Sequence, residues 1–408
     1  MRISTSSIYN ANISSLDTLQ VQIAQTTQQI SSGQRILDPS MDPVGAARAI
    51  ELTLSNSTNT QYGANNTAAT NSLSLSDGIL QSVTSLLQSA HDTAVTGAGG
   101  NSLSDTNRKA LATDLQGRLN DLLGLANSTD GNGNYLYSGA QGSVQPFVNT
   151  AGGVVYQGDD VQRKMQVAPS RQISSSDSGA DIFMRIRNGN GIFQAALGAA
   201  NTGSGTISQG VVTNAALYSS NSYQVTFGAG GTTYSITDVT AGPPGVAVPG
   251  QTGVAYASGQ AISFNGIQFS ITGTPAAGDT FNVTPSKNQS VFDTLNNLIT
   301  ALNTPLAGAS AATIAANSQA MSDGINALNQ DLNSVLGVRA TTGSRLNELT
   351  ALQSTGTDLG LQYQKTLSTI QDTDYNKAIT DLSQQKLILQ AAQQSFAQVS
   401  KLSLFNYI

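Results

Sequence analysis

Residue types able to do covalent or metal chemistry are scarce in this sequence, and their spacing is poor. There is no Cys, so disulfides, thiolate nucleophiles and Cys-ligated zinc or iron–sulfur centres are excluded. There is one His, His91; a Ser-His-Asp triad would depend on it, and a site needing two or three imidazoles cannot form within one chain. His91 stands beside Asp92 in a stretch of helical periodicity, where a solvated or packed imidazole is expected. Asp130-Gly131-Asn132-Gly133-Asn134 opens like a calcium-binding EF-hand loop. Its sixth position needs Gly but is Tyr135, and its twelfth needs Glu but is Gln141, so a Gly/Asn turn is expected instead. Ser383-Gln384-Gln385-Lys386 has the S-x-x-K spacing of penicillin-binding enzymes, without the S-D-N or K-T-G partners and inside a heptad helix. Asp159 and Asp160 could act as paired carboxylates, but Gly158-Asp159-Asp160 reads as a hairpin tip. No Walker A motif or complete G-x-G-x-x-G is present. The sequence therefore gives no catalytic, cofactor-binding or metal-ligating residue, and a protein without enzymatic activity is expected.

Composition points the same way. The 408 residues are only 10% charged, against roughly 25% in a typical soluble domain. Ser, Thr, Asn, Gln, Gly and Ala make up the difference, so the surface is mostly uncharged and polar. The net charge is -6, and basic residues cluster only as pairs, Arg163-Lys164 and Arg185 with Arg187. That excludes a nucleic-acid partner and argues against an anionic membrane surface. No run approaches the length of a membrane-spanning helix, so no membrane insertion is expected. Met1–Ser7 lacks the apolar core of a secretory signal, which predicts either a cytosolic protein or export by a route that reads no such signal.

The elements that would carry function are long helices at both ends. Leu16, Ile23 and Ile30 recur every seven residues in a first helix from about Thr5 to Ser32, with Gly33 as its C-cap. Two prolines mark a loop over 34–43. A second helix starts near Val44 and carries Ile79, Val83, Leu86 and Ala90. A third is capped by Ser104 and Asp105 and carries Leu111, Leu115, Leu119, Leu122 and Ala126 on one face. From Asp130 to about Pro285 short alternating runs separated by Gly and Pro predict an antiparallel β-rich domain, interrupted by one short helix near Ile192–Leu197. Starting at Met321, a 4-3 apolar alternation keeps one register to Ile370, which implies a helix of roughly 75 Å and a coiled-coil seam. A last helix carries Ala378, Leu382, Leu389, Ala392, Phe396 and Val399. The fold class is α+β: a long antiparallel coiled-coil-like helical stalk built from both termini, with an antiparallel β-rich domain inserted. Its parts are residues 1–40 with 372–408, residues 41–139 with 288–371, and residues 140–287.

The terminal helices carry few charges: Arg2, Asp17, Arg35 and Asp38 up to residue 40, and Lys377, Asp381, Lys386 and Lys401 after Asp374. An exposed helix normally has a charged outer face, whereas one surrounded by other helices avoids unpaired charge. This predicts a self-assembling helical polymer whose ends order on assembly.

Ser32-Gly33-Gln34-Arg35-Ile36, followed by Asp42-Pro43-Val44-Gly45-Ala46-Ala47-Arg48-Ala49, resembles the turn after the first helix of the bacterial flagellin superfamily. Met41 stands where the superfamily usually has Asp. The stretch from Asp374-Tyr375 through Ala391-Ala392-Gln393-Gln394-Ser395-Phe396-Ala397 to Leu402-Ser403-Leu404-Phe405-Asn406-Tyr407-Ile408 is similar to the branch that sits between hook and filament. Gly133-Asn134-Tyr135-Leu136-Tyr137-Ser138-Gly139, Pro146-Phe147 and Val155-Tyr156-Gln157-Gly158-Asp159 resemble that branch's passage into its β-domain. The resemblance implies a structural subunit of the extracellular flagellum in a ring of its own copies, with hook-associated protein 1 on one side and flagellin on the other. It also implies export through the flagellar type III apparatus with a cytosolic chaperone. The terminal helices would form an inner tube, the middle helices a second shell, and the β-domain would face outward. Leu16, Ile23, Ile30, Arg35, Leu382, Leu389, Phe396, Val399, Leu404 and Phe405 are the expected assembly residues. A filament subunit is the alternative, disfavoured by the Leu404–Ile408 ending. A carbohydrate-binding or hydrolytic β-domain would need clustered aromatics beside paired carboxylates, and aromatics are 5% of the chain.

Overall fold

The computed structural model describes residues 5–99 and 103–401. Seven helices are described: α1 (Thr5–Ser32), α2 (Pro43–Gly97), α3 (Asp105–Ala126), α4 (Gly179–Phe183), α5 (Val291–Asn303), α6 (Ala311–Gln371) and α7 (Tyr375–Lys401). Their limits follow from local chemistry. Asp42 accepts the Gly45 N–H at 2.8 Å and Pro43 needs no donor, so α2 starts there. Ser104 and Ser290 accept the N–H groups of Asn107 and Asp293 at the starts of α3 and α5. Gly33, at φ 73°, takes the left-handed conformation that ends α1.

The chain divides into two compact units, residues 1–66 with 351–408 and residues 67–350. In the second unit one apolar core joins Leu80, Val83 and Leu87 of α2, Leu115, Leu119 and Leu122 of α3, Phe292, Leu295 and Leu298 of α5, and Met321, Leu328 and Val335 of α6. Phe147, Phe183 and Phe292 cluster at its edge, with Phe147 5.4 Å from each of the other two rings. Along α6, Met321, Leu328, Val335, Thr342 and Leu349 are buried at seven-residue spacing, the seam expected from the sequence.

This core also buries two ionisable side chains. Arg108 is fully buried; its Nη2 donates to the Ala301 carbonyl (2.7 Å) and to Asn317 Oδ1 (2.8 Å), while Nε and Nη1 have no partner among the described residues. Asp331 on α6 is 2% exposed, with Oδ2 unpartnered among the described residues.

The second unit's other core lies between two antiparallel sheets. One orders the strands Val246–Ala247, Thr233–Asp238, Tyr223–Phe227, Thr280–Pro285 and Phe193–Leu197, with Val254–Ala255 also paired to Thr233–Asp238. The other orders Ala261–Phe264, Ile267–Thr272 and Thr206–Ile207, with Val211–Val212 also on Ile267–Thr272. Alternate residues point inward, so Val225, Ile236, Ile267, Ile271 and Phe281 are fully buried. The segment 192–197, expected as a helix, is instead a strand over Phe193–Leu197. It pairs with Thr280–Pro285 in the register Phe193↔Pro285 to Leu197↔Phe281 and buries Phe193 and Ala195. The short helix of this region is α4, capped by Ser178.

Candidate assembly interface

The expected assembly residues that are described lie in the first unit. There α1 and α7 pair antiparallel: the rings of Tyr9 and Phe396 are 5.0 Å apart, Thr26 bonds to Gln385 at 3.1 Å, and Thr373 donates to the Gln29 carbonyl at 3.3 Å. Leu16, Ile23 and Ile30 on α1 and Leu382, Leu389 and Phe396 on α7 are half-buried, and Thr26 and Ala378 on the same faces are buried. Two paired helices can cover only one stripe of each. Ile13 and Val21 on α1 and Ile379, Leu387 and Ile388 on α7 accordingly remain exposed, Val21 to 55% and Leu387 to 67%. Sequence reasoning missed these five. The signal was present: the run Leu387-Ile388-Leu389 turns about 100° per residue, so it cannot face a single partner helix.

Arg35 sits inside the same unit as a clamp. Its Nε and Nη2 donate to the Ile370 carbonyl at the end of α6, at 3.0 and 2.8 Å, and Nη2 reaches Asp42 Oδ2 at 3.2 Å. The backbone closes the same joint: Arg35 N–H donates to Gln371 O at 2.7 Å and Thr373 N–H to Gly33 O at 2.9 Å. The guanidinium thus caps a helix C-terminus, where a cation meets unpaired carbonyls. The Gly45 N–H and, secondarily, Arg35 hold the Asp42 carboxyl below its ordinary range. Asp42 supplies the capping carboxylate of this turn, and Met41 beside it is 41% exposed. Further along, Asn59 donates to the Gly356 carbonyl at 2.7 Å, and a Cβ at Gly360 would meet Asn59 Nδ2 at 3.3 Å, so these glycines admit α2 against α6. Val399 is within α7 but its side chain, like Leu404 and Phe405 entirely, lies outside the described residues.

The residues screened for chemistry have structural partners. Asp130 accepts the N–H groups of Asn132 and Asn134, an Asx turn. Asp159 accepts from Ala140 N–H and Val161 N–H, whereas Asp160 pairs with Arg185 at 2.5 Å. Ser383 donates to the Ile379 carbonyl one turn back on α7. His91 lies on α2, 3.8 Å from Asp92. Among the described residues no group of three His, Asp or Glu is placed to hold a metal ion, and no helix is long and apolar enough to cross a membrane.

Residues 3–142 match the family model of the bacterial flagellin N-terminal helical region. Flagellar hook-associated protein 3 of Salmonella typhimurium is 29% identical over 406 residues, spanning 100% of this chain and 99% of that protein. The crystal structure of the flagellar junction protein FlgL from Legionella pneumophila is similar with a TM-score of 0.70 at 31% identity, over 80% of this chain and 100% of that one. Xanthomonas campestris FlgL is similar with a TM-score of 0.70 at 29% identity, over 77% and 98%.

Proposed function

This chain belongs to the flagellar hook-associated protein 3 family of the flagellin superfamily, and we propose that it works as the structural subunit joining the flagellar hook to the filament. The observation that carries this is the length of the match: both helical ends and the β-rich middle align with junction proteins. Residues 1–40 with 372–408 are the polymerisation region in this reading, 41–139 with 288–371 the stalk, and 140–287 the outward-facing domain. The paired α1 and α7 present uncovered apolar residues on a surface with little charge, which neighbouring copies in a ring would bury at about 25 cal/mol per Å². Leu16, Ile23, Ile30, Leu382, Leu389 and Phe396 then hold the pair together and Arg35 fixes its joint; Val399, Leu404 and Phe405 are the remaining assembly residues of this reading. Hook-associated protein 1 and flagellin are the axial neighbours. A cytosolic chaperone and the type III apparatus deliver the chain.

Gold-labelled antibody microscopy on intact flagellated cells tests the reading. A single band at the distal end of each hook is expected. Label along the whole filament would make the protein a filament subunit instead, and flagella without label would overturn the proposal.

A further inference from the structure

Within the second unit, α5 and α6 and the polar segment leading into the strand Phe193–Leu197 enclose a cavity of about 440 Å³, within the range of small-molecule sites. Its walls carry carboxamides, threonine hydroxyls and one carboxyl, that of Asp323, with no basic side chain and no aromatic ring. Part of this wall offers unused acceptors. Gln209 gives its amide N–H to the Gly189 carbonyl, and Gln289 gives its own to Thr294 Oγ1 at 3.0 Å, leaving both amide oxygens without a partner among the described residues. Asp323 Oδ1 accepts from Gln319 Nε2 at 2.8 Å; Gln319 is in turn fixed by accepting the Ile207 N–H at 2.9 Å. Asp323 Oδ2 has no partner and the carboxylate no cation among the described residues. Burial accordingly lifts this carboxyl to about 6, against the opposing bond from Gln319. At neutral pH it is still largely ionised.

Unused amide oxygens beside a single negative charge suit a donor-bearing cation. The carboxamides of Gln194, Asn297 and Asn326 also line the cavity with N–H groups that have no partner among the described residues, so Asp323 is what selects the charge of the ligand. The Asp323 carboxylate repels anions. We propose that this cavity binds an organic cation through an ammonium or guanidinium group held by Asp323, with the amide oxygens of Gln209 and Gln289 accepting its remaining N–H groups. Free small amines and the Lys or Arg side chain of a second copy share that chemistry.

The test is calorimetric titration of the full chain with agmatine, which carries both head groups, alongside sedimentation velocity with and without it. Asp323→Asn keeps an acceptor for Gln319 while removing the charge. Saturable binding is expected, weakened about tenfold or more by Asp323→Asn, with Gln209→Leu giving a smaller loss at full charge. Binding without a change in sedimentation identifies a free small cation as the ligand. Self-association abolished both by agmatine and by Asp323→Asn identifies a second copy's side chain. Equal affinity in the wild type and in both variants overturns the proposal. Absence of binding with unchanged sedimentation overturns it too, since the cavity would then hold only water.

Discussion

At Asp331, burial pushes the carboxyl from its ordinary 3.8 up to about 8, the Thr294 hydroxyl pulling weakly the other way. The folded chain therefore keeps a proton that the unfolded chain releases, so this carboxyl's own contribution to stability is full below about pH 4 and is lost as the pH rises through about 8. Asp323 adds a smaller effect of the same sign, ending near pH 6. Asp331→Asn should raise the melting temperature above pH 8 and converge on the wild type near pH 4; parallel melting curves across that range would show that the carboxyl is not the cause. Arg108 is the second buried ionisable group of this core. Arg108→Ala removes a large side chain and strips Asn317 Oδ1 of its donor, so it should cost about 3–5 kcal/mol in urea unfolding. Arg108→Met, which refills the volume, should recover part of that loss. Neither residue could be recognised in the sequence, because a lone Arg in a helix normally reads as solvent-facing and only the packed bundle shows that this one is enclosed.

Among the elements, α1 and α7 depend on a joint that tolerates little change. A Cβ at Gly33 would sit 3.0 Å from Tyr375 Oη, at a φ of 73°. Gly33→Ala should therefore cost about 1–2 kcal/mol and speed proteolysis at the ends of α1 and α7, leaving the residues 67–350 protected. The helices themselves were legible in the sequence: Thr5–Ser32 matches the heptad run and its glycine stop, and the α6 seam runs in the expected register. Those signals are local, set by spacing and capping. The strand Phe193–Leu197 was misread because its Ala195-Ala196-Leu197 favours helix locally, and only pairing with Thr280–Pro285 decides otherwise. The half-buried α1–α7 stripe was legible for the same reason as the helices. The exposed residues beside it were not, since a sequence does not say how many helices surround a given one.

For the whole molecule, the two sets of apolar residues make separable predictions. Leu389→Asp places a charge on the half-buried stripe, so it should unpair α1 from α7 and also stop incorporation into flagella. Leu387→Asp alters a residue already 67% exposed; it should leave the circular dichroism and melting of the isolated chain unchanged within about 0.5 kcal/mol and still abolish motility. Normal motility in the Leu387 variant would place the assembly contacts elsewhere. The antiparallel pairing has a further meaning for biosynthesis. Among the described residues α1 lies along α7, with Thr26 meeting Gln385 across a sequence separation of 359. A ribosome that stops early, or a protease that clips the tail, yields a subunit whose opening helix has nothing to lie against. A chain without α7 therefore lacks the partner that covers Leu16, Ile23 and Ile30 of α1.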